Sequence, residues 1–495
     1  MGLKSRLVRG SLYTLFSSLG INAIALVTTV LYARLLSPDD FGVLGIFLAL
    51  GATIAPFASL RLEVAVAKYT AEYAKTDPSR AERFLGVATS IALGFGGSLS
   101  IAYFVLAGPI AAFYQKPILA DMVRLSASVL LLGTLVTILQ AAVQGFQEIR
   151  KLAVLMVSAQ SLAIPTIFIF VSQLGLVGAA VSSAVLAAAN FALSLIVARS
   201  VLRRGGIRIR PARDRETTRR LGRFTLPMLL GMALNRPAWL VVATVITLWL
   251  TYREYALFRV ASSLYRVVLV LPAVLSVPLL PAIAEAYATQ PADRTRTQLT
   301  LLLRITTILA LPLALLMGLG ATVWLGVLYG PAYAGAGMIL FVLSFAALLD
   351  TLGSICENTL IGTGRTWYVL GLNGLQVSVL VGGTIFLLPR LGVMGAAYAT
   401  VLGALAYLAG AIIELSRRRD IDGRHLRDVG ALVGAATTAS AVLVAAIGLG
   451  NYVVAGLLLA SVIVAGYLLL TPRDRTLLLS AARGVLGMEK RKVRP

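Results

Sequence analysis

The sequence predicts an all-α polytopic membrane protein of about fourteen transmembrane helices: two six-helix bundles related by a pseudo-twofold axis along the membrane normal, plus two extra C-terminal helices. Three observations carry that reading. First, the 495 residues are 58% hydrophobic and 13% charged, with a mean hydropathy of +0.88. That leaves too little polar surface to solvate a soluble body of this length. Second, long uncharged runs recur, such as 84–115 and 153–198. A helix needs about 20 mostly apolar residues to cross the hydrocarbon layer, and only helices or closed barrels span lipid. The ten-residue alternation of a barrel is absent. Third, the basic residues sit on one side of the fold: 35 of the 44 Lys and Arg fall in alternate connections, and the intervening ones hold Lys116, Arg253 and Arg390. By the positive-inside rule this places both termini in the cytoplasm.

The spans lie near 11–35, 41–62, 84–108, 122–146, 152–173, 177–199, 223–249, 254–283, 299–327, 337–361, 367–388, 392–415, 428–449 and 452–471. Span 1 follows MGLKSRLVRG with no small-residue cleavage site, which reads as a retained helix. The inner connection 61–83 carries five basic residues, and Arg150 and Lys151 precede span 5. Between spans 6 and 7 runs RSVLRRGGIRIRPARDRETTRRLGR, read as a basic surface segment and topology signal. Pro272, Pro278 and Pro281 bend the inner part of span 8. GPAYAGAGM at 330–338 is an outer turn, and Tyr32, Trp249, Trp324 and Tyr329 form an interfacial belt. The expected division is therefore a first bundle at 1–200, a cytoplasmic linker at 201–222 and a second bundle at 223–416. A cytoplasmic loop at 417–427, spans 13 and 14 at 428–471 and a basic tail at 472–495 complete it.

The formal charge of +23 is thus mainly topological, with some attraction to anionic headgroups in the bilayer. Nucleic acid is excluded as a partner because no soluble domain exists to carry it. The one cysteine, Cys356, lies inside a span and forms no intrachain disulfide.

A phrase is written twice. LGLVGAAVSSAV begins at 174 and LGVMGAAYATVL at 391, 391 − 174 = 217 residues later. AEYAKTDP at 71–78 answers AEAYATQP at 284–291, VQGFQE at 143–148 answers LIGTGR at 360–365, and DFGVL at 40–44 answers EYALF at 254–258. Small-residue matches are common between membrane helices, but several in order at a nearly constant offset point to duplication. Six spans per half is even, so both halves enter from the cytoplasm, the parallel repeat that some secondary transporters use.

ARLLSPDDFG at 33–42 resembles the signature of Wzx-type oligosaccharide flippases, within the multidrug/oligosaccharidyl-lipid/polysaccharide exporter superfamily. QGFQEIRKLA after span 4 and the G-x-x-G-A-A opening of span 6 are similar to that family too. The resemblance covers essentially the whole chain. It implies export of a polyprenyl-diphosphate-linked oligosaccharide across the cytoplasmic membrane, in company with polysaccharide polymerase and glycosyltransferase machinery. It does not supply the sugar.

Charges at depth are functional candidates, since each costs about 2.5–3.5 kcal/mol on insertion scales. Arg236, Arg266 and Asp350 fall near the midplane by their distance from span ends; Arg259 lies two turns outward of Arg266, and Glu357 two turns inward of Asp350. Guanidinium forks match phosphate oxygens, so Arg236, Arg259 and Arg266 are the expected diphosphate clamp in a central cavity. Arg61 and Lys68, placed near the inner end of span 2, would receive the headgroup first or serve only as topology signals. Arg34 reads as a structural anchor. Arg266 with Asp350, and Arg304 with Glu357, share depths and equally read as neutralising ion pairs. Arg236 and Arg259 have no acidic partner at their depth. Asp350 and Glu357 alternatively bind a coupling ion. No P-loop is present, which leaves membrane potential or a proton or sodium gradient as the energy source.

No catalytic residues, cofactor or metal site is expected. The only histidine, His425, and the D-I-D at 420–422 lie in a short charged loop. Three alternatives remain. A peptidoglycan-precursor flippase shares the whole architecture. A cation-coupled multidrug exporter would show an acidic cavity and twelve spans. A membrane glycosyltransferase or polymerase would need a large carboxylate-bearing outer loop.

Overall fold

In the computed structural model, residues 3–74, 76–207, 210–269, 292–418 and 420 are described. Spans 13 and 14, the basic tail, His425, AEAYATQP and the three span-8 prolines lie outside them. Every described element with regular structure is helical, and nine helical segments among the described residues are long and apolar enough to cross a membrane.

The helices are α1 (Leu3–Leu35), α2 (Pro38–Ser59), α3 (Leu62–Tyr73), α4 (Pro78–Ile91), α5 (Gly97–Val105), α6 (Ala107–Phe113), α7 (Ile118–Gly145), α8 (Ile149–Ser161) and α9 (Ala163–Arg204). They continue as α10 (Arg215–Trp249), α11 (Tyr252–Val268), α12 (Ala292–Leu319), α13 (Ala321–Tyr329), α14 (Gly337–Gly362), α15 (Thr366–Leu391) and α16 (Val393–Arg417). A π-helical turn, Ala92–Gly96, joins α4 to α5 into one span.

Element boundaries recur at a constant offset. α1 and α10 end 249 − 35 = 214 residues apart, and α2 and α11 begin 252 − 38 = 214 apart. Three backbone reversals recur as well. Gln115 and Gly330, Gln147 and Gly364, and Gly175 and Gly392 all have positive φ, the region that favours glycine. The twice-written phrase now has a physical content. Gly175 (φ 57) breaks α9 so that its two parts fold against each other, and a Cβ on Gly178 would lie 2.0 Å from the carbonyl oxygen of Phe170, eight residues back. In the second copy Gly392 has φ 58, and a Cβ on Gly395 would lie 2.6 Å from the carbonyl carbon of Leu387, again eight back. The phrase encodes a hairpin in which only glycine lets the backbones meet.

Two compact units can be distinguished. The first takes residues up to Ser263 with 328–333 and 380–396, and the second takes the rest of the described chain. The first unit's inner core gathers Leu62, Val66, Phe84, Leu85, Ile138 and Leu202. Small residues let its helices close up, as lipid supplies no hydrophobic drive of its own: a Cβ on Gly145 would stand 2.5 Å from Cβ of Thr70. The second unit centres on Ile355, Cys356, Leu360, Leu372, Tyr407 and Leu415.

The structure corrects one reading. Arg61 and Lys68 are not on span 2: consecutive left-handed residues, Leu60 (φ 49) and Arg61 (φ 57), end α2 and start a separate helix, α3. The linker is mostly exposed and touches the first unit at a few points. Ile207 and Leu221 are buried, the Ala212 N–H donates to the Gly86 carbonyl (3.3 Å), and Asp214 caps α10 through the Thr217 hydroxyl and N–H. Asp77 caps α4 in the same way, with the Ser79 hydroxyl at 2.6 Å and the Arg80 N–H at 3.1 Å. Side-chain hydroxyl donation first, then backbone N–H, holds both carboxyls below the usual range. Their contribution is full above the ordinary carboxylate pKa and lost as pH falls through the lowered one.

Candidate functional site

The first unit builds a site around Arg259. α2 turns a small face, Gly42 and Gly45, toward α11. A Cβ on Gly42 would sit 2.1 Å from the Tyr252 carbonyl oxygen; one on Gly45 would sit 2.5 Å from Tyr255 Cε1 and 3.1 Å from Arg259 Nη1. Gly42 therefore lets α11 approach at Tyr252, and Gly45 is the floor on which Tyr255 and Arg259 lie. Half-buried Arg259 places its guanidinium 4.6 Å from the Phe41 ring centre and donates from Nη1 to the Phe41 carbonyl (3.2 Å). An aromatic face attracts a cation through the ring quadrupole. Tyr333 meets Phe41 edge-on at 5.9 Å, Tyr329 stands 6.2 Å from Tyr333, and Tyr329 shares a hydrogen bond with Ser263. The Tyr32 and Tyr333 hydroxyls lie in electrostatic range of Arg259.

Around this site helix ends are tied by polar contacts. Arg34 Nε donates to the Leu328 carbonyl (2.8 Å), Tyr252 to the Tyr114 carbonyl (2.5 Å), and Tyr114 bonds Thr244 (2.6 Å). The anchoring role read for Arg34 has a partner here.

Arg236 is exposed along α10, and Arg266 is exposed near the end of α11; among the described residues neither forms an ion pair. Arg61 pairs with Glu63 at 3.1 Å, so its charge is compensated within its own turn. Lys68 is exposed on α3 and lies over the rings of Phe224 (4.5 Å) and Tyr69 (5.3 Å).

In the second unit the expected Arg266–Asp350 pair does not form. Asp350 accepts hydrogen bonds from the Tyr265 hydroxyl and from Gln376 Nε2 (3.1 Å), both neutral donors. Adjacent residues on a helix point about 100° apart, so when Tyr265 faces α14, Arg266 faces elsewhere. Glu357 is faced by Asn373 and Tyr407, and the Tyr407 hydroxyl is buried beside it without meeting hydrogen-bond geometry. Arg304 is half-buried on α12, which packs along α14, the helix that carries both carboxylates. No cluster of metal-binding side chains occurs among the described residues.

The fold is shared with solved membrane-protein structures. An inward-facing multidrug resistance MATE family transporter of the MOP superfamily superposes with a TM-score of 0.69 at 16% identity, covering 80% of this chain and 94% of that one. Lipid II flippase MurJ, in an inward closed conformation, gives 0.69 at 14% identity, covering 93% and 98%. The class of protein is thus a multi-pass helical membrane protein with the MOP superfamily fold. Within it, this chain belongs to the polysaccharide biosynthesis protein family, whose pattern matches residues 7–287. An uncharacterized membrane protein of Methanocaldococcus jannaschii, MJ1068, is 36% identical over 96 residues, and the match spans 19% of each chain.

Proposed function

We propose that the protein is a Wzx-type flippase. It moves polyprenyl-diphosphate-linked oligosaccharide units from the cytoplasmic to the outer leaflet of the cytoplasmic membrane for surface polysaccharide assembly. It alternates access between two six-helix bundles, 1–200 and 223–416, related by a pseudo-twofold axis, with spans 13 and 14 as an added pair and both termini cytoplasmic. The family membership supports a polysaccharide role. The observation that carries the reading is Arg236, an exposed guanidinium with no ion pair among the described residues; counted fourteen residues into the expected span 7, it would be a costly placement that an anionic passenger would offset. Arg259, held on an aromatic face, would be the second phosphate contact and Arg266 a third. The polymerase and glycosyltransferase machinery acts before and after the flip and involves no residue here in catalysis. Deleting the gene should make a lipid-linked saccharide accumulate on the cytoplasmic face, read by leaflet-resolved lipid extraction. Unchanged pools on both faces would remove the assignment.

A second element of the reading is coupling through Asp350. A carboxylate in a span, held only by a phenol and an amide among the described residues, has room to exchange a proton or sodium ion without breaking an ion pair. Asp350→Asn keeps the shape and removes the charge. Initial transport rates in proteoliposomes should fall about tenfold under an imposed gradient and change little without one. An identical gradient response in the variant would rule Asp350 out.

A further inference from the structure

The inner end of the first unit contains a cavity of about 710 Å³ that the proposed transport path does not use. Leu135 and Leu139 of α7 form one wall, and Phe191 and Leu195 of α9 the other. On α9 the same four-residue step continues to Arg199 and Arg203, so the apolar wall runs directly into two guanidinium groups. Gly206 (φ 69) then ends the helix, and the Ile207 N–H returns to the Leu202 carbonyl at 3.0 Å, which folds the chain back beneath the cavity.

Arg203 and Arg204 suit the negative end of the α9 dipole. Arg199 stands more than a turn earlier, so the dipole does not account for it. Arg199 and Arg203 are exposed and form no ion pair among the described residues. The volume lies within the range of about 300–1,000 Å³ typical of small-molecule sites. One end is oily and the other doubly cationic, the complement of an amphiphile with a phosphate head.

We propose that this cavity binds an anionic glycerophospholipid of the inner leaflet. Its phosphodiester lies on Arg199 and Arg203, and an acyl chain runs along Leu139, Phe191 and Leu195. Guanidinium forks suit phosphate oxygens, and basic pockets between helices on the cytoplasmic side favour acidic headgroups. The leaflet rests on the orientation proposed above; the binding itself does not.

The test is native mass spectrometry of the full-length protein in detergent, with phosphatidylglycerol or phosphatidylcholine of identical acyl chains. Wild type should retain phosphatidylglycerol about tenfold better, and Arg199→Gln/Arg203→Gln should bring the two within about twofold. Leu195→Trp, which fills the oily end and spares both arginines, should lower retention of phosphatidylglycerol and stands alone if the double variant fails to assemble. Equal retention of the two lipids by wild type, or retention unmoved by the variants, would overturn the proposal. Displacement of phosphatidylglycerol by equimolar undecaprenyl phosphate would also overturn it and make the occupant a carrier lipid. Retention is read without transport, so this proposal and the flippase assignment fail separately.

Discussion

Arg236→Ala combined with Arg259→Ala is expected to slow translocation of the lipid-linked saccharide in proteoliposomes by about a hundredfold or more. Each single change should cost about tenfold. Hydrogen bonds to charged groups contribute about 1.5–3 kcal/mol, and about 1.4 kcal/mol is a factor of ten. The two arginines reach their positions by different means. Arg236 is exposed along α10, whereas Arg259 is seated over Phe41 and bonded to its carbonyl. Lysine should therefore substitute unequally. At 236 the charge alone is retained and rescue should be partial. At 259 an ammonium loses both the planar stack and the fork, so rescue should be poor. The readout is the initial rate together with binding of the carrier lipid, because phosphate contacts should weaken binding as well as slow transfer. Full activity in the double variant would remove these residues from the passenger's path.

Gly42→Ala should be the most damaging single methyl on α2. The added Cβ would stand 2.1 Å from the Tyr252 carbonyl oxygen, an atom of rigid backbone, so α2 and α11 must separate. Overpacking of this kind costs about 1–3 kcal/mol, and Arg259 rides on the displaced helix. We expect a lower midpoint of thermal unfolding in detergent and a transport rate reduced about tenfold. The control lies on the same helix: Gly51 has open space around it, and alanine there should be neutral or slightly stabilising, by up to about 1 kcal/mol. Equal behaviour of the two variants would show that the close approach at Gly42 is not what α2 needs.

The fold was largely legible because lipid leaves few choices. Apolar runs located the described spans, while the repeated phrase pointed to duplication without showing that Gly175 and Gly392 turn the backbone there. The α3 helix escaped notice because LEVAVAKYTAEY mixes charges into a short apolar pattern, and nothing in the sequence marks Leu60 and Arg61 as left-handed. At the site, depth along a span was readable but direction around it was not. Arg266 and Asp350 matched in depth, yet Tyr265 is the residue that faces the carboxylate. The seat of Arg259 depends on Gly45 of a distant helix, and its resting place on Phe41 is a tertiary fact. ARLLSPDDFG contained the ring, Phe41, without saying which helix would use it.

The three paired reversals have a use in comparing distant chains. Gln115 and Gln147 share positive φ with Gly330 and Gly364, 330 − 115 = 215 and 364 − 147 = 217 residues later: the residue types differ while the handedness of the backbone does not. For duplicated transporters whose halves no longer align letter by letter, the sign of φ at a few loop positions is a sturdier ruler than residue identity. It offers an independent register for finding which position in one copy corresponds to a functional one in the other.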